Sequence, residues 1–218
     1  MVIQNVLKQM LRLSQITSGF YVADQMVDDY GEVLQEKEIH RLDPNPKIEA
    51  LFELIKDRPK TSKAIIWCCW KQTVRTIVAR MEYEKLGYVV YTGDTSDHDR
   101  AIAEDKFNGD YNTQYFIGIR AAGGVGLNLL GQANDFTNCE GVINVERNWS
   151  YKEEAQADDR SHRRGTRVPV TYTSLLVPDS IDEQQYDRIR EKRDTAYSVQ
   201  DVRELLGKLA SSIGKLRE

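Results

Sequence analysis

The sequence predicts an α/β domain, a mostly parallel sheet covered by helices on both faces, and two observations carry that prediction. Short apolar runs at Ala64–Trp67, Tyr88–Tyr91, Gln114–Ile119 and Val142–Val145 have the length and character of buried strands. Helix-period segments separate the first three, so strand and helix alternate, as crossover connections between parallel strands require. Ligand loops in such sheets gather at the carboxyl ends of the strands. The loops after Trp67, Tyr91, Ile119 and Val145 are therefore the places to look for chemistry. At 218 residues and 40% apolar composition, the chain can bury a substantial core.

Taken in order, Val2–Ser18 carries Ile3, Val6, Leu7, Met10, Leu13 and Ile16 at helical spacing, with Gly19 as its stop. This helix needs a partner surface. Asp24–Pro46 is polar and closes on the turn-rich DPNPK; Glu32–Glu36 shows no clear period, whereas Glu38–Leu42 alternates enough for a short strand. Lys47–Lys56 sets Ile48, Leu51, Phe52 and Ile55 on one stripe that should pack on the sheet, and Lys47 reads as a solvated lysine at a helix start. Trp70–Leu86 is a helix with Trp70, Val74, Ile77, Val78 and Met81 inward, ended by Gly87. The turn TGDTSD leads into a helix from about Asp97 to Asn108 bearing Ile102 and Phe107, and Val168–Val177 alternates as an edge strand would. Ser180 with Glu183 forms a capping box that opens a helix with Ile181, Tyr186 and Ile189 inward. A further amphipathic helix starts near Ser198, marked by Val199, Val202, Leu205, Leu206 and Leu209. The expected organisation is a leading helix and linker over 1–46, the α/β lobe over 47–178 and a helical extension over 179–218.

A net charge of −4 argues against a chain coated in positive charge, although a local basic stripe still suits a nucleic-acid backbone. Cys68, Cys69 and Cys139 include no C-x-x-C pair, which fits neither a disulfide framework nor a zinc module and favours a reducing compartment. No apolar run reaches membrane-span length, and the first fifteen residues lack a signal-peptide core. The expected location is the cytoplasm, with a bacterial, phage or nuclear setting also compatible. His40, His98 and His162 have no companion ligands at metal spacing, and Asp182–Glu183 follows no apolar strand, so neither group reads as a metal site.

Chemistry is concentrated in two stretches. In Ser150–Arg167, SYKEEAQADDRSHRRGTR, Ser150 and Glu153 make a capping box, so Ser150–Arg163 is predicted helical. Gln156, Asp159, Arg160 and Arg163 then share one face at i, i+3, i+4 and i+7. Two guanidiniums beside an amide suit phosphate oxygens, since each presents fixed charge and a rigid donor fork; a solvated helix with internal ion pairs through Glu154 or Asp158 is the plain alternative. The second stretch, AAGGVGLN at Ala121–Asn128, follows a strand and places Gly123, Gly124 and Gly126 where backbone N–H groups approach a ligand closely, or where a turn packs tightly. It is neither a Walker A loop nor G-x-G-x-x-G.

In residue order, QADDRSHRRGT resembles motif VI of superfamily-two helicases and translocases, with the QAxDRxHRxGQ form of the Swi/Snf-like branch as its nearest match; Thr166 stands where that branch usually has Gln. RAAGGVGLNL at Arg120–Leu129 resembles motif V of the same family, with one extra alanine and without the hydroxyl usual upstream. LRLSQITSGF, AIIWCCW and YTGDTSDHDRAIAEDKF resemble the family's leading helix, motif IV and the following loop and helix. The resemblance implies a RecA-like fold with added N- and C-terminal helices, here the second of two lobes that enclose ATP. It implies that Arg160 and Arg163 act as arginine fingers, that Gly124, Gly126, Asn128, Gln156 and Asp159 line the nucleotide cleft, and that Thr92, Thr95, Ser96 and Arg120 meet the DNA backbone. ATP and Mg²⁺ would be held mainly by an N-terminal ATPase lobe, because no G-x-x-x-x-G-K-[ST] occurs in this sequence. The implied partners are that lobe and double-stranded DNA, with no membrane. By itself the chain is expected to be inactive. A stand-alone binding module that kept the fold without catalysis, and an unrelated small-molecule enzyme using the glycine loop, are the alternative classes.

Overall fold

The computed structural model describes residues 2–23, 26–27, 33–35, 38–120, 127–158 and 165–195. Its centre is a five-stranded parallel sheet of β5 (Ser62–Cys68), β6 (Tyr88–Tyr91), β7 (Tyr115–Ile119), β8 (Asn138–Asn144) and β9 (Thr171–Ser174), in the order β6-β7-β5-β8-β9. Before it come α1 (Val2–Thr17), the paired strands β1 (Phe20–Ala23) and β4 (Glu38–Arg41), the short pair β2 (Met26–Val27) and β3 (Val33–Gln35), and α2 (Pro46–Lys56). The crossovers carry α3 (Lys71–Tyr83) and α4 (Asp97–Gly109), α5 (Tyr151–Asp158) follows β8, and a last helix, α6, spans 181–195.

The strands read as apolar runs because both faces are covered. Ile66, facing Ile117 and Ile143 on its two neighbours, packs with Leu51, Phe52 and Ile55 of α2 and Ile77 and Met81 of α3. Ile65 and Trp67 point the other way, against Phe107 of α4 and Leu127 and Leu129 beyond β7. Period-two alternation thus divides one apolar strand between two cores. Gly118 lets Trp67 lie across β7, since a β-carbon there would sit 2.5 Å from the indole ring. All four predicted apolar strands occur, β8 beginning earlier than expected, and β9 is an edge strand as its alternation suggested.

Helix ends show where local chemistry prevails. Gly19 closes α1 at φ +83°. Asn45 opens α2 by accepting from Ile48 N at 3.3 Å, with Pro46 at the first helical position. Contrary to expectation, α3 ends at Tyr83: Lys85 takes the left-handed conformation at φ 56°, and Leu86 N returns to Met81 O at 2.9 Å, closing a Schellman motif on a non-glycine residue. Gly87 answers a different need, because a β-carbon would lie 1.7 Å from the Asn112 carbonyl oxygen.

Two expectations about the flanks change. Phe20–Ala23 forms a strand against Glu38–Arg41, so part of the supposed linker is a β-ribbon. Lys47 is not solvated: it is 4% exposed, and its ammonium lies 2.6 Å from the Asp182 carboxylate of α6. Asp182 also accepts from Thr17 Oγ1 at 2.8 Å and Val177 N at 3.1 Å, so its place is set by specific partners beyond the helix dipole. The amphipathic segment from Ser198 onward lies outside the described residues. Among the described residues no helix is long and apolar enough to cross a membrane.

Candidate functional site

The carboxyl ends of β5, β7 and β8 converge, and two buried carboxylates organise them. Glu146, just past β8, accepts from Cys69 N at 2.8 Å, from Trp70 N at 3.1 Å and from the Thr73 hydroxyl. It therefore satisfies the amino end of α3, whose first turn has no side-chain cap of its own. Burial raises the Glu146 carboxyl above the usual range, opposed by the hydroxyls of Thr73 and Ser18, the amide of Cys69 and the charge of Lys47. Burial, reinforced by Glu146, likewise raises the Cys68 and Cys69 thiols, so neither is an activated nucleophile.

The second carboxylate is Glu154 on α5. Its Oε2 lies 2.8 Å from Arg147 Nη1 and 3.3 Å from Arg120 Nη1, and its Oε1 accepts from Asn148 N at 3.0 Å. Arg147 donates to Ser174 Oγ at 2.8 Å and stacks 5.1 Å from the Tyr186 ring centroid, while Gln185 donates to its carbonyl at 2.7 Å. Arg120 lies against Trp67 and also donates to the Asn144 side chain. One carboxylate of α5 thereby gathers residues that follow β7 and β8 and, through Arg147, reaches β9 and α6.

These positions sort the residues expected to be functional. Gln156 is exposed on α5 and Asn128 is exposed beyond β7, where its backbone N–H donates to Glu104 Oε1 at 2.8 Å and its carbonyl accepts from Asn108 at 2.6 Å. Thr92 and Thr95 are half-buried: Thr95 Oγ1 accepts from Thr92 N at 2.9 Å, and exposed Ser96 caps α4 by accepting from Asp99 N at 3.2 Å. Their local work is to turn the chain and start the helix. Arg120 requires correction: at 5% exposure and turned toward Glu154, Asn144 and Trp67, it is committed to the interior rather than to a DNA phosphate. Gly124, Gly126, Asp159, Arg160 and Arg163 lie outside the described residues, as do the side chain of Glu153 and the predicted continuation of α5 to Arg163. Glu146 and Arg147 were not singled out for these roles from sequence, although a charged pair directly after the apolar run Val142–Val145 was a visible signal.

Residues 46–165 match the helicase conserved C-terminal domain model. The chain belongs to that family. Its relatives place this helicase C-terminal domain in the Swi/Snf-like branch of superfamily two, with a RecA-like fold. The chain is 31% identical over 167 residues to DNA repair protein rad8 of Schizosaccharomyces pombe, covering 75% of this chain and 14% of that protein. It is 30% identical over 151 residues to ATP-dependent helicase FUN30 of Saccharomyces cerevisiae, covering 67% of this chain and 12% of that one. The crystal structure of the C-terminal part of the Fun30 ATPase domain superposes with a TM-score of 0.59 at 29% identity, over 66% of this chain and 44% of that chain. The helicase C-terminal domain thus spans a small fraction of the curated relatives it matches.

Proposed function

We propose that this helicase C-terminal domain is the second motor lobe of an ATP-dependent DNA translocase. It closes on ATP held by a first RecA-like lobe and presents Arg160 and Arg163 to the terminal phosphate. The observation that carries the reading is the anchoring of α5: the helix that leads into Asp159–Arg163 is held by Glu154 at the carboxyl edge of the sheet, the edge where open α/β sheets take ligands. Gln156 on α5 and Asn128 beyond β7 are exposed amides that suit a nucleotide by their chemistry. Gly124 and Gly126 would let backbone N–H groups approach it closely. Bound ATP supplies the phosphoanhydride bond whose hydrolysis drives the motor.

Mg²⁺ is proposed to accompany the triphosphate on the first lobe. Thr92, Thr95 and Ser96, on the loop after β6, are proposed to touch phosphates of duplex DNA, contacts that fix position without reading sequence. Arg120 is left out of that surface. Alternate opening and closing of the lobes on one strand's backbone would advance the motor along the duplex.

Replacing Arg163 by Ala in the complete two-lobe polypeptide tests the assignment. DNA-stimulated ATP hydrolysis should fall on the order of 10³-fold or more, the usual worth of an arginine finger, while binding of a fluorescent ATP analogue is kept. Unchanged turnover would defeat the reading.

A further inference from the structure

The Glu154 cluster does more than fill space at the sheet edge. The described part of α5 is eight residues long, a stretch too short to fix its own direction without tertiary contacts. Its fixed point is Glu154, 2% exposed, whose two carboxylate oxygens face Arg147, Arg120 and the backbone N–H of Asn148. Both guanidiniums complement the carboxylate in charge, and Arg147 and the Asn148 N–H also donate hydrogen bonds to it. Arg120 immediately precedes the glycine loop; Glu154 precedes Gln156, Asp159, Arg160 and Arg163 on the same stretch of chain. The carboxylate therefore joins, at ion-pair distance, the segment carrying the proposed nucleotide-contacting glycines and the segment carrying the proposed fingers.

We propose that Glu154 is a positioning residue for phosphoryl transfer, fixing the register of α5 against the end of β7 through Arg120 and Arg147. The proposal rests on the arginine-finger reading above. Misplacement of a catalytic group by about 1 Å can cost about 10²-fold in rate, so an anchor so close in sequence to the fingers has leverage on the reaction. Glu154→Gln keeps the shape of the side chain, removes its charge and sets an NH₂ group against one of its donors, a guanidinium or the Asn148 N–H. Arg120 and Arg147 then lose their common anionic partner.

The test is a double-mutant cycle in the complete two-lobe polypeptide, read by single-turnover phosphate release with saturating ATP and duplex DNA, at a temperature where circular dichroism shows every variant folded. E154Q is expected to slow the step roughly 10- to 100-fold in the wild-type background. In the Arg160→Ala/Arg163→Ala background it is expected to slow it less than about twofold, because an anchor that acts through the fingers then has nothing left to position. Equal slowing by E154Q in both backgrounds means a general structural role and overturns the proposal while leaving the finger assignment standing. An Arg163→Ala variant as fast as wild type overturns the finger assignment and the positioning role with it. Should E154Q not fold, Arg147→Lys keeps the charge, loses the planar fork, and carries the same comparison: slowing confined to the background with intact fingers supports the positioning role, and equal slowing in both overturns it.

Discussion

Lys63 shows how far a single side chain can stand from what its type suggests. It lies within β5 with no exposed surface, and its ammonium donates to the carbonyls of Phe107 and Asp110, each at 2.6 Å, at the end of α4. Burial lowers its pKa from 10.5 to about 8, with Asp110 and Cys139 opposing the shift. Below about pH 8 both the folded and unfolded chains hold this proton, and burying the cation subtracts from stability. Between about 8 and 10.5 only the unfolded chain holds it, so stability should rise with pH across that window, by at most about 1.4 kcal/mol per pH unit. Urea denaturation of wild type and Lys63→Met from pH 7 to 10.5 checks this: the wild-type curve should gain on the variant as pH rises, and parallel curves would refute it. Neither Lys63 nor Lys47 was legible as buried, for the same physical reason. Hydrophobic period locates a face, but a buried cation is decided by acceptors that arrive from elsewhere in the chain, here two α4 carbonyls and the Asp182 carboxylate.

At the scale of elements, what could be read from sequence was whatever repeats. The four strands announced themselves as apolar runs, α2 through its stripe, and Gly19 and Ser180 through helix-end chemistry; of the two apolar residues marked on α4, Phe107 is buried and Ile102 exposed. Of the ribbon, β4 was legible in the alternation of Glu38–Leu42, whereas its partner β1 was not, because four residues directly after the stop of α1 leave no alternation long enough to recognise. In the candidate site, α5 was found through its residue order, whereas the partners of Glu154 come from two other stretches, after β7 and after β8, and carry no common spacing. The docking of α6 is the clearest case of an element held by a distant partner. Ile181 and Ile189 are buried, and Lys47 and Asp182 meet at 2.6 Å with side chains 4% and 6% exposed. Asp182→Asn would leave the Lys47 charge buried without its counterion and should cost about 3–5 kcal/mol. The double variant Lys47→Met/Asp182→Leu should recover most of that loss, since an apolar pair needs no desolvation of charge. Guanidinium denaturation of the three proteins decides; a double variant no more stable than Asp182→Asn would show that the geometry of this pair, rather than its charge balance, holds α6.

For the molecule as a whole, the question is what one lobe can do alone. The sequence contains no Walker A loop, and the proposed reading assigns the triphosphate and its Mg²⁺ to the first lobe. An arginine pair stabilises charge only where that charge develops within reach, so the proposed fingers have nothing to act on until a first lobe brings the terminal phosphate to them. The net charge of −4 adds to this, because the long-range field does not draw DNA to the chain and any attraction must come from a local surface. The 218-residue chain alone should therefore release no phosphate from ATP above buffer, with or without duplex DNA. Fusion behind a Walker A lobe of the Swi/Snf-like branch should restore DNA-stimulated release, and that release should weaken steeply with salt as each phosphate contact returns its counterion. Colorimetric phosphate assays at two salt concentrations on the lone chain and the fusion read both expectations. DNA-stimulated hydrolysis by the lone chain would mean that it completes a nucleotide site from its own residues, and the division of labour between two lobes would have to be abandoned.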